Sequence, residues 1–418
     1  MAKMVAASAA VALATACSAP VPEMLKADGV ERVSVDGMAY ASEFRAFRES
    51  AFGLGEALLA DGGNGSGGNV VSSPGSVLVA LAMLRAGATG ETAAEMDAVM
   101  GLPENGRDEA MNALLASLAK FDGDPGAVDE DKPPRHPVLH TANGLFVDDG
   151  VPTGEAFLST LARHYGTGVY PVDFANAAAT KPAIDAWVDR NTGGRIKQAP
   201  ADYDPRNTFS LLNSVYFAAA WREPFDPVDT SNTVFTKAGG EQVMVPAMNN
   251  VLLMPYAEGA GWRGVDLPYA EGFVMRLVLP DAGSDAIFGA SQLGEIADAL
   301  DAAPHQTVQI QLPRWDHKSR FDLREVLASL GLDKMLITSQ DFNAIQPGLQ
   351  LTQLAQAANI TVAEKGTVAA AATQFNGAVS GAPMPAHAIN FDRPFHYQVV
   401  HVDTGLPLFM GTVADPRS

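Results

Sequence analysis

A single cysteine, Cys17, stands near the start of the chain, and no second thiol exists for it to pair with. An internal disulfide is therefore excluded, as is a metal site built on clustered thiolates. Positive charge is also scarce: 28 lysines and arginines face 48 aspartates and glutamates, a net charge of −20 with a pI near 4.7. Such a chain repels polyanions, so nucleic acid, heparin-like glycans and anionic membrane surfaces are not expected partners. No apolar run reaches the ~18–20 residues of a membrane span. The eight histidines are scattered; His136 and His140 flank Pro137 in a strand-like segment and need not share a helical face. No metal or other cofactor is expected. No Gly-x-Ser-x-Gly elbow occurs. Ser117-x-x-Lys120 has the spacing of an acylase dyad, but it sits on an amphipathic helix and lacks that chemistry's partner motifs. Nothing recommends an enzyme; an unrelated hydrolase would need a serine that labels with a fluorophosphonate probe.

What is present points to a globular chain. It is 47% hydrophobic with a mean hydropathy of +0.04, enough to bury a large core. A length of 418 residues admits two or three domains or one large one. "MAKMVAASAAVALATAC" carries one basic residue and then a short apolar run ending in small residues, the layout of an export signal over residues 1–16. Ala14-Thr15-Ala16 suits cleavage, and Cys17 directly after it resembles a lipoprotein box, with the usual leucine displaced to Leu13. The alternatives are a lipidated envelope protein and a secreted or periplasmic one with a spare thiol. Residues 17–40 are small and polar and read as a flexible tether, leaving 41–418 as the folded domain.

Along that domain, "EFRAFRESAFGLGEALLADG" (Glu43–Gly62) has helical spacing. "GNGSGG" (Gly63–Gly68) matches a dinucleotide fingerprint only formally, because it follows a helix and precedes a strand. "NVVSSPGSVLVALAMLRAGATGETAAEM" (Asn69–Met96) reads as a strand, a serine-capped turn with Pro74, a buried helix and a further helix start at Thr89. "DGDPGAVDEDKPPRH" (Asp122–His136) is a charged, proline-rich surface loop. A helix is predicted over Thr180–Ile196, and strands dominate from Asn207 onward, with "DLREVLASLGL" (Asp322–Leu332) as a helical interruption. Helices first and strands later predict an α+β fold.

One stretch fits none of these elements. "EKGTVAAAATQFNGAVSGAP" (Glu364–Pro383) opens a run with no charged residue from Thr367 to Phe391. Alanine favours helix over strand, yet Gly377, Gly381, Pro383 and Pro385 forbid a long helix, and little in the run is bulky enough to build a core.

Four segments resolve the puzzle by resemblance. "NVVSSPGSVLVALAMLRAGATGET" resembles the serpin segment at the start of that fold, "LLNSVYFAAAWREPFD" (Leu211–Asp226) the strand leading to its buried tryptophan, "EKGTVAAAAT" its hinge, and "FDRPFHYQVVHVDTGLPLFMGTVADP" (Phe391–Pro416) its closing strand pair. They occur in serpin order and spacing from about residue 41 to the end. The chain departs at Gly75, Gln356, Val368 and His396, where larger apolar residues, a histidine, a glutamate and an apolar residue are usual.

The resemblance implies an α+β serpin fold, with three β-sheets, about eight or nine helices and a reactive-centre loop over about 364–393. It also implies a suicide inhibitor of serine proteases, with no enzyme activity of its own and monomeric. In that mechanism the cut loop inserts into a sheet as a new central strand. Side chains would then alternate: Thr367, Ala369, Ala371 and Thr373 inward, Val368, Ala370, Ala372 and Gln374 outward. Small neutral residues suit a strand that must slide between paired neighbours, because a buried charge would cost several kcal/mol; Gly366 supplies the pivot after Glu364. Residues 366–380 would span on the order of 50 Å at ~3.3 Å each, close to the ~54 Å diameter of a domain this size. Ser73, Ser76 and Asn213 match shutter positions and Trp221 the breach, although a turn cap, a satisfied amide and a core aromatic would explain them equally. Counted from Glu364, the bait bond falls at Ser380–Gly381, with Val379–Ser380 the runner-up. With no Lys or Arg on offer, elastase-like or subtilisin-like proteases are the expected targets. The rival reading is a non-inhibitory serpin acting as a carrier or as a protease substrate. Activation by glycosaminoglycan is not expected, since "RDEAMNALLASLAK" (Arg107–Lys120) has two basic residues.

Overall fold

The computed structural model describes residues 20–35, 37–63, 65, 68–103, 105–367 and 385–417. The chain begins with α1 (Ala41–Asp61), β1 (Val70–Ser72), α2 (Pro74–Gly87), α3 (Gly90–Met100) and α4 (Arg107–Ala119). Then come β2 (Val138–Asp148), α5 (Glu155–Thr160), β3 (Tyr170–Val172), α6 (Ala177–Asn191) and β4 (Phe209–Ala220). The strands β5 (Ser231–Thr236), β6 (Gln242–Gly259), β7 (Trp262–Pro268) and β8 (Phe273–Pro280) precede α7 (Ala290–Asp301). β9 (His305–Pro313), β10 (Trp315–Asp322), α8 (Leu323–Ser329) and α9 (Asp333–Ile337) follow, then β11 (Gln353–Ala363), β12 (Gly366–Thr367), β13 (His387–Asn390), β14 (Phe395–His401) and β15 (Pro407–Val413).

Local sequence explains the principal elements. α2 is apolar on all sides, so it can only be a core helix, and Pro74 at its first turn matches the fixed φ needed there. Nearly every residue of α2 is buried. β4 is buried along its whole length, as expected of a strand covered on both faces. α6 starts at Ala177 instead of Thr180 because the Asn176 side chain accepts a hydrogen bond from the Ala179 N–H, a cap favourable to helix initiation. It stops at Asn191 instead of Ile196, where Gly193 and Gly194 take φ of +60° and +83°.

Six strands form one sheet in the order β10-β11-β12-β4-β2-β3. The others are linked through the long β6, whose Ala247–Pro255 stretch pairs with β9 and whose last residues pair with β7. One sheet thus holds β5, β6, β9 and β13, and another holds β1, β15, β14, β8, β7 and β6. Nine α-helices and three sheets are present among the described residues, an α+β fold. α2 packs on both β15 and β4, so it couples two sheets.

The segment expected to be a free tether is docked over residues 20–35. Leu25 and Val169 exchange backbone hydrogen bonds at 2.8 and 3.0 Å. Arg32 Nε donates to Asn112 Oδ1 at 2.7 Å, and the Val33 N–H donates to the Arg163 carbonyl at 2.9 Å.

Three histidines are buried in the core: His317 on β10, and His396 and His401 on β14. Burial disfavours their charged forms and lowers their pKa values to about 4, about 3 and about 4. Because the folded values lie below the ordinary 6.5, the unfolded chain binds more protons as pH falls from 6.5 towards 4. The stability these neutral rings allow is complete above pH 6.5 and is withdrawn below it. Unfolding free energy should drop by about 4–6 kcal/mol between pH 7.5 and pH 5. Urea unfolding across that range would check this, and a flat profile would contradict it.

Candidate functional site: a gap in the six-stranded sheet

β4 and β11 are parallel neighbours at one end of the sheet, in register from Ser210↔Gln353 to Ser214↔Ala357. At the other end β12 lies between them, pairing Thr367 with Val362 and Ala219, and Gly366 with Ala363 and Ala220. Among the described residues, no strand separates Val215–Ala218 from Ala358–Thr361. The sheet is thus joined below, wedged open above by two residues, and divided between.

The wedge is a hairpin: β11 ends at Ala363, Glu364 and Lys365 turn, and β12 returns antiparallel. Gly366 has φ of +154°, and a Cβ there would lie 2.1 Å from the Ala219 carbonyl oxygen, so only glycine fits. Trp221 and Phe225 hold the turn: their N–H groups donate to the carbonyls of Lys365 and Glu364, and Trp221 Nε1 donates to the Ala363 carbonyl, each at 2.9 Å. Glu364 accepts a hydrogen bond from Thr230 Oγ1 at 2.9 Å and lies 3.5 Å from Arg314. Thr367 is fully buried, with its hydroxyl 2.5 Å from the Tyr269 phenol, whose ring stacks on Trp221 at 4.4 Å. Burial pushes the Tyr269 pKa far above its ordinary value, so this hydrogen bond is between neutral groups.

Below the gap a buried amide network joins β4, β11 and α2. Gln356, in register with Asn213, accepts from the Ser73 N–H at 2.9 Å. Its amide nitrogen donates to the Ser73 carbonyl at 3.0 Å and to Asn213 Oδ1 at 2.6 Å. Asn213 Nδ2 in turn donates to Ser76 Oγ at 2.5 Å and to Asn143 Oδ1 at 2.6 Å. Ser73 does not cap α2 with its side chain, as its position suggested; its hydroxyl donates instead to the Leu408 carbonyl on β15. Gln356→Ala would strand the Ser73 N–H and Asn213 Oδ1, at about 1–3 kcal/mol for each buried group left unpaired, while the Ser73 carbonyl keeps the Val77 N–H at 3.1 Å. The expected loss is about 2 kcal/mol or more in denaturant unfolding of the intact protein. A loss below about 1 kcal/mol would mean water replaces the amide.

The residues singled out from the sequence therefore fall into two places. Glu364, Gly366, Thr367 and Trp221 meet at the top of the gap, and Ser73, Ser76 and Asn213 at its foot, together with Asn143, which sequence reasoning missed because β2 carries no motif. Ala369, Ala370, Ala371, Ala372, Thr373, Val379, Ser380, Gly381 and Cys17 lie outside the described residues. Gly75 is explained by space: a Cβ would meet the Pro407 carbonyl oxygen at 2.8 Å. His136 bonds to Glu271 and to the Lys120 carbonyl, and His140 to Asp122 and Asn191. Ser117 donates to the Leu114 carbonyl and Lys120 reaches Asp403, so they form no dyad.

The profile described as "Serpin (serine protease inhibitor)" matches residues 49–416. This chain belongs to the serpin family. It is 32% identical over 363 residues to an uncharacterized serpin-like protein of Thermococcus kodakarensis, covering 84% of this chain and 82% of that one. Human neuroserpin is 28% identical over 375 residues, covering 84% of this serpin and 87% of neuroserpin. Among solved structures, the thermophilic serpin tengpin in its native state superimposes with a TM-score of 0.78 at 22% identity, over 94% of this chain and all of that one. Thyroxine-binding globulin in complex with thyroxine gives 0.74 at 23% identity, over 90% and 99% of the two chains. Most serpins are protease inhibitors rather than catalysts, and this serpin has their fold.

Proposed function

We propose that this serpin is a suicide inhibitor of serine proteases, exported from the cell and acting as a monomer without catalytic activity of its own. The observation that carries the reading is Thr367, buried between β4 and β11 at the head of a gap in line with it. Four small neutral alanines, Ala369–Ala372, follow in the chain. A protease attacking Ser380–Gly381, or Val379–Ser380, would form an acyl-enzyme. Residues beyond Thr367 would then continue β12 into the gap before water released the protease. Elastase-like or subtilisin-like enzymes fit the small residues offered, and Cys17 would supply a lipid tether to the envelope.

Incubation with pancreatic elastase and with subtilisin tests this. A complex resistant to denaturing gels and a new N-terminus at Gly381 are expected. Clean cleavage without a complex would demote the protein to a substrate or carrier.

The carrier reading has one observation in its favour, a cavity of about 790 Å³ lined in part by Val21, Met24, Leu115, Leu139 and Trp187, with Arg32 beside them. Retention of a small apolar molecule in native mass spectra, with no protease complex, would favour it.

A further inference from the structure

The acidic, proline-rich loop between α4 and β2 lies over the gap, and we infer that it is a latch that holds β4 and β11 together until the reactive-centre loop is cut. This rests on the insertion reading above. The ends of the acidic loop are joined where the Leu139 N–H donates to the Phe121 carbonyl at 2.8 Å, so the residues between make a closed excursion. That excursion is fastened to the β4 margin of the gap: Val128 packs on Tyr216 and Ala218, and the Ala220 N–H donates to the Pro134 carbonyl at 2.9 Å. It is fastened equally to the β11 margin. Glu130 pairs with Arg195 at 3.0 Å, and Arg195 donates to Thr361 Oγ1 at 3.1 Å. Lys365, in the hinge turn itself, donates to the Asp131 carbonyl at 2.9 Å.

Tyr216, Ala218 and Thr361 lie at the level of the gap, whereas Ala220 and Lys365 lie at the wedge, where β12 already separates the margins. A strand that enters the gap and passes on between the paired stretches Ser210–Ser214 and Gln353–Ala357 must part them by about 4.8 Å, and the margins above are drawn apart with them. Hydrogen bonds near 3 Å cannot survive that on both sides, so one side must let go. The β4 side is held by a backbone hydrogen bond and apolar packing. The β11 side is held by side-chain charges, of which Glu130 is half exposed, and such contacts are individually weak and screened by salt. Release therefore occurs at Glu130–Arg195, the charged contact at the level of the gap, while Lys365–Asp131 at the wedge can persist. The strength of these contacts sets how readily the sheet opens, and the acidic character of the loop sets their salt dependence.

The test uses the intact protein and an acetylated peptide with the sequence of Thr367–Ser380, its uptake followed by native gel. Glu130→Gln and Arg195→Gln should each speed uptake about two- to fivefold. Replacing Asp129–Lys132 by glycine and serine should do so more strongly. The double variant should be no faster than Arg195→Gln alone, because both remove one pair. Raising salt from about 0.05 to about 0.5 M should speed the unmodified protein and leave Arg195→Gln unchanged. Rates within twofold of the parent in all variants, or no salt effect on the parent, would overturn the latch. Absence of any uptake by the parent would instead overturn the insertion reading, and the latch with it.

Discussion

Once nicked within residues 368–384, the protein should melt on the order of 10–20 °C above the intact form. The gap between Val215–Ala218 and Ala358–Thr361 leaves two margins of a central sheet without a described partner strand. Extending β12 downwards supplies hydrogen bonds to both margins. It also replaces the five β4–β11 residue pairs below with two ladders. At a net gain of about 1 kcal/mol per hydrogen bond, a strand of about a dozen residues stabilises the sheet by roughly 10 kcal/mol. Part of that is offset by opening the Gln356–Asn213 contact. For a chain this long each kcal/mol moves the melting temperature by about 1–2 °C. Calorimetry on the intact protein and on the protein nicked in the loop by a protease that it does not trap measures the difference directly. Coincident melting curves would mean that cleavage releases no stored energy, and protease trapping would then lack a driving force.

The second large effect concerns Thr367. Its side chain is wholly enclosed and its hydroxyl meets Tyr269 beneath Trp221. Thr367→Arg would force a guanidinium into the enclosure formed by Tyr269 and Trp221, at a cost of several kcal/mol. The first residue of the entering strand would be expelled from the wedge. Each ~1.4 kcal/mol added to the insertion barrier slows it tenfold, while hydrolysis of the acyl-enzyme proceeds unchanged. The variant should be cut cleanly, with the covalent complex reduced more than a hundredfold. Thr367→Ser, which keeps the hydroxyl, should trap protease nearly as well as the parent. Equal trapping by the arginine variant would show that the wedge does not lead insertion.

Much of the hinge is legible in the sequence. The neutral run after Glu364, the glycine at 366 and the tryptophan at 221 stand out because their composition departs from everything around them. The amide network is only half legible. Ser73, Ser76 and Asn213 sit in recognisable segments, whereas Asn143 sits in an ordinary strand and Gln356 reads simply as a departure from the family. A hydrogen bond across two strands leaves no local pattern, since each partner's own neighbours are unaffected by it. Residues 20–35 deceive for a similar reason: small polar residues resemble a tether, and only their distant partners Val169, Asn112 and Arg163 dock them. The loop at 122–136 is readable as charged and exposed, but not as fastened to both margins of one gap.

By itself the sequence determined the fold class and the family, because apolar periodicity, caps and turn residues are properties of neighbours along the chain. It also determined that a stretch free of charge follows the hinge. Only the tertiary structure decided that Thr367 is enclosed, that β4 and β11 part above Ser214, and which side chains bridge them. Those facts depend on contacts between residues far apart in sequence, whose energies are set by geometry that no single segment contains.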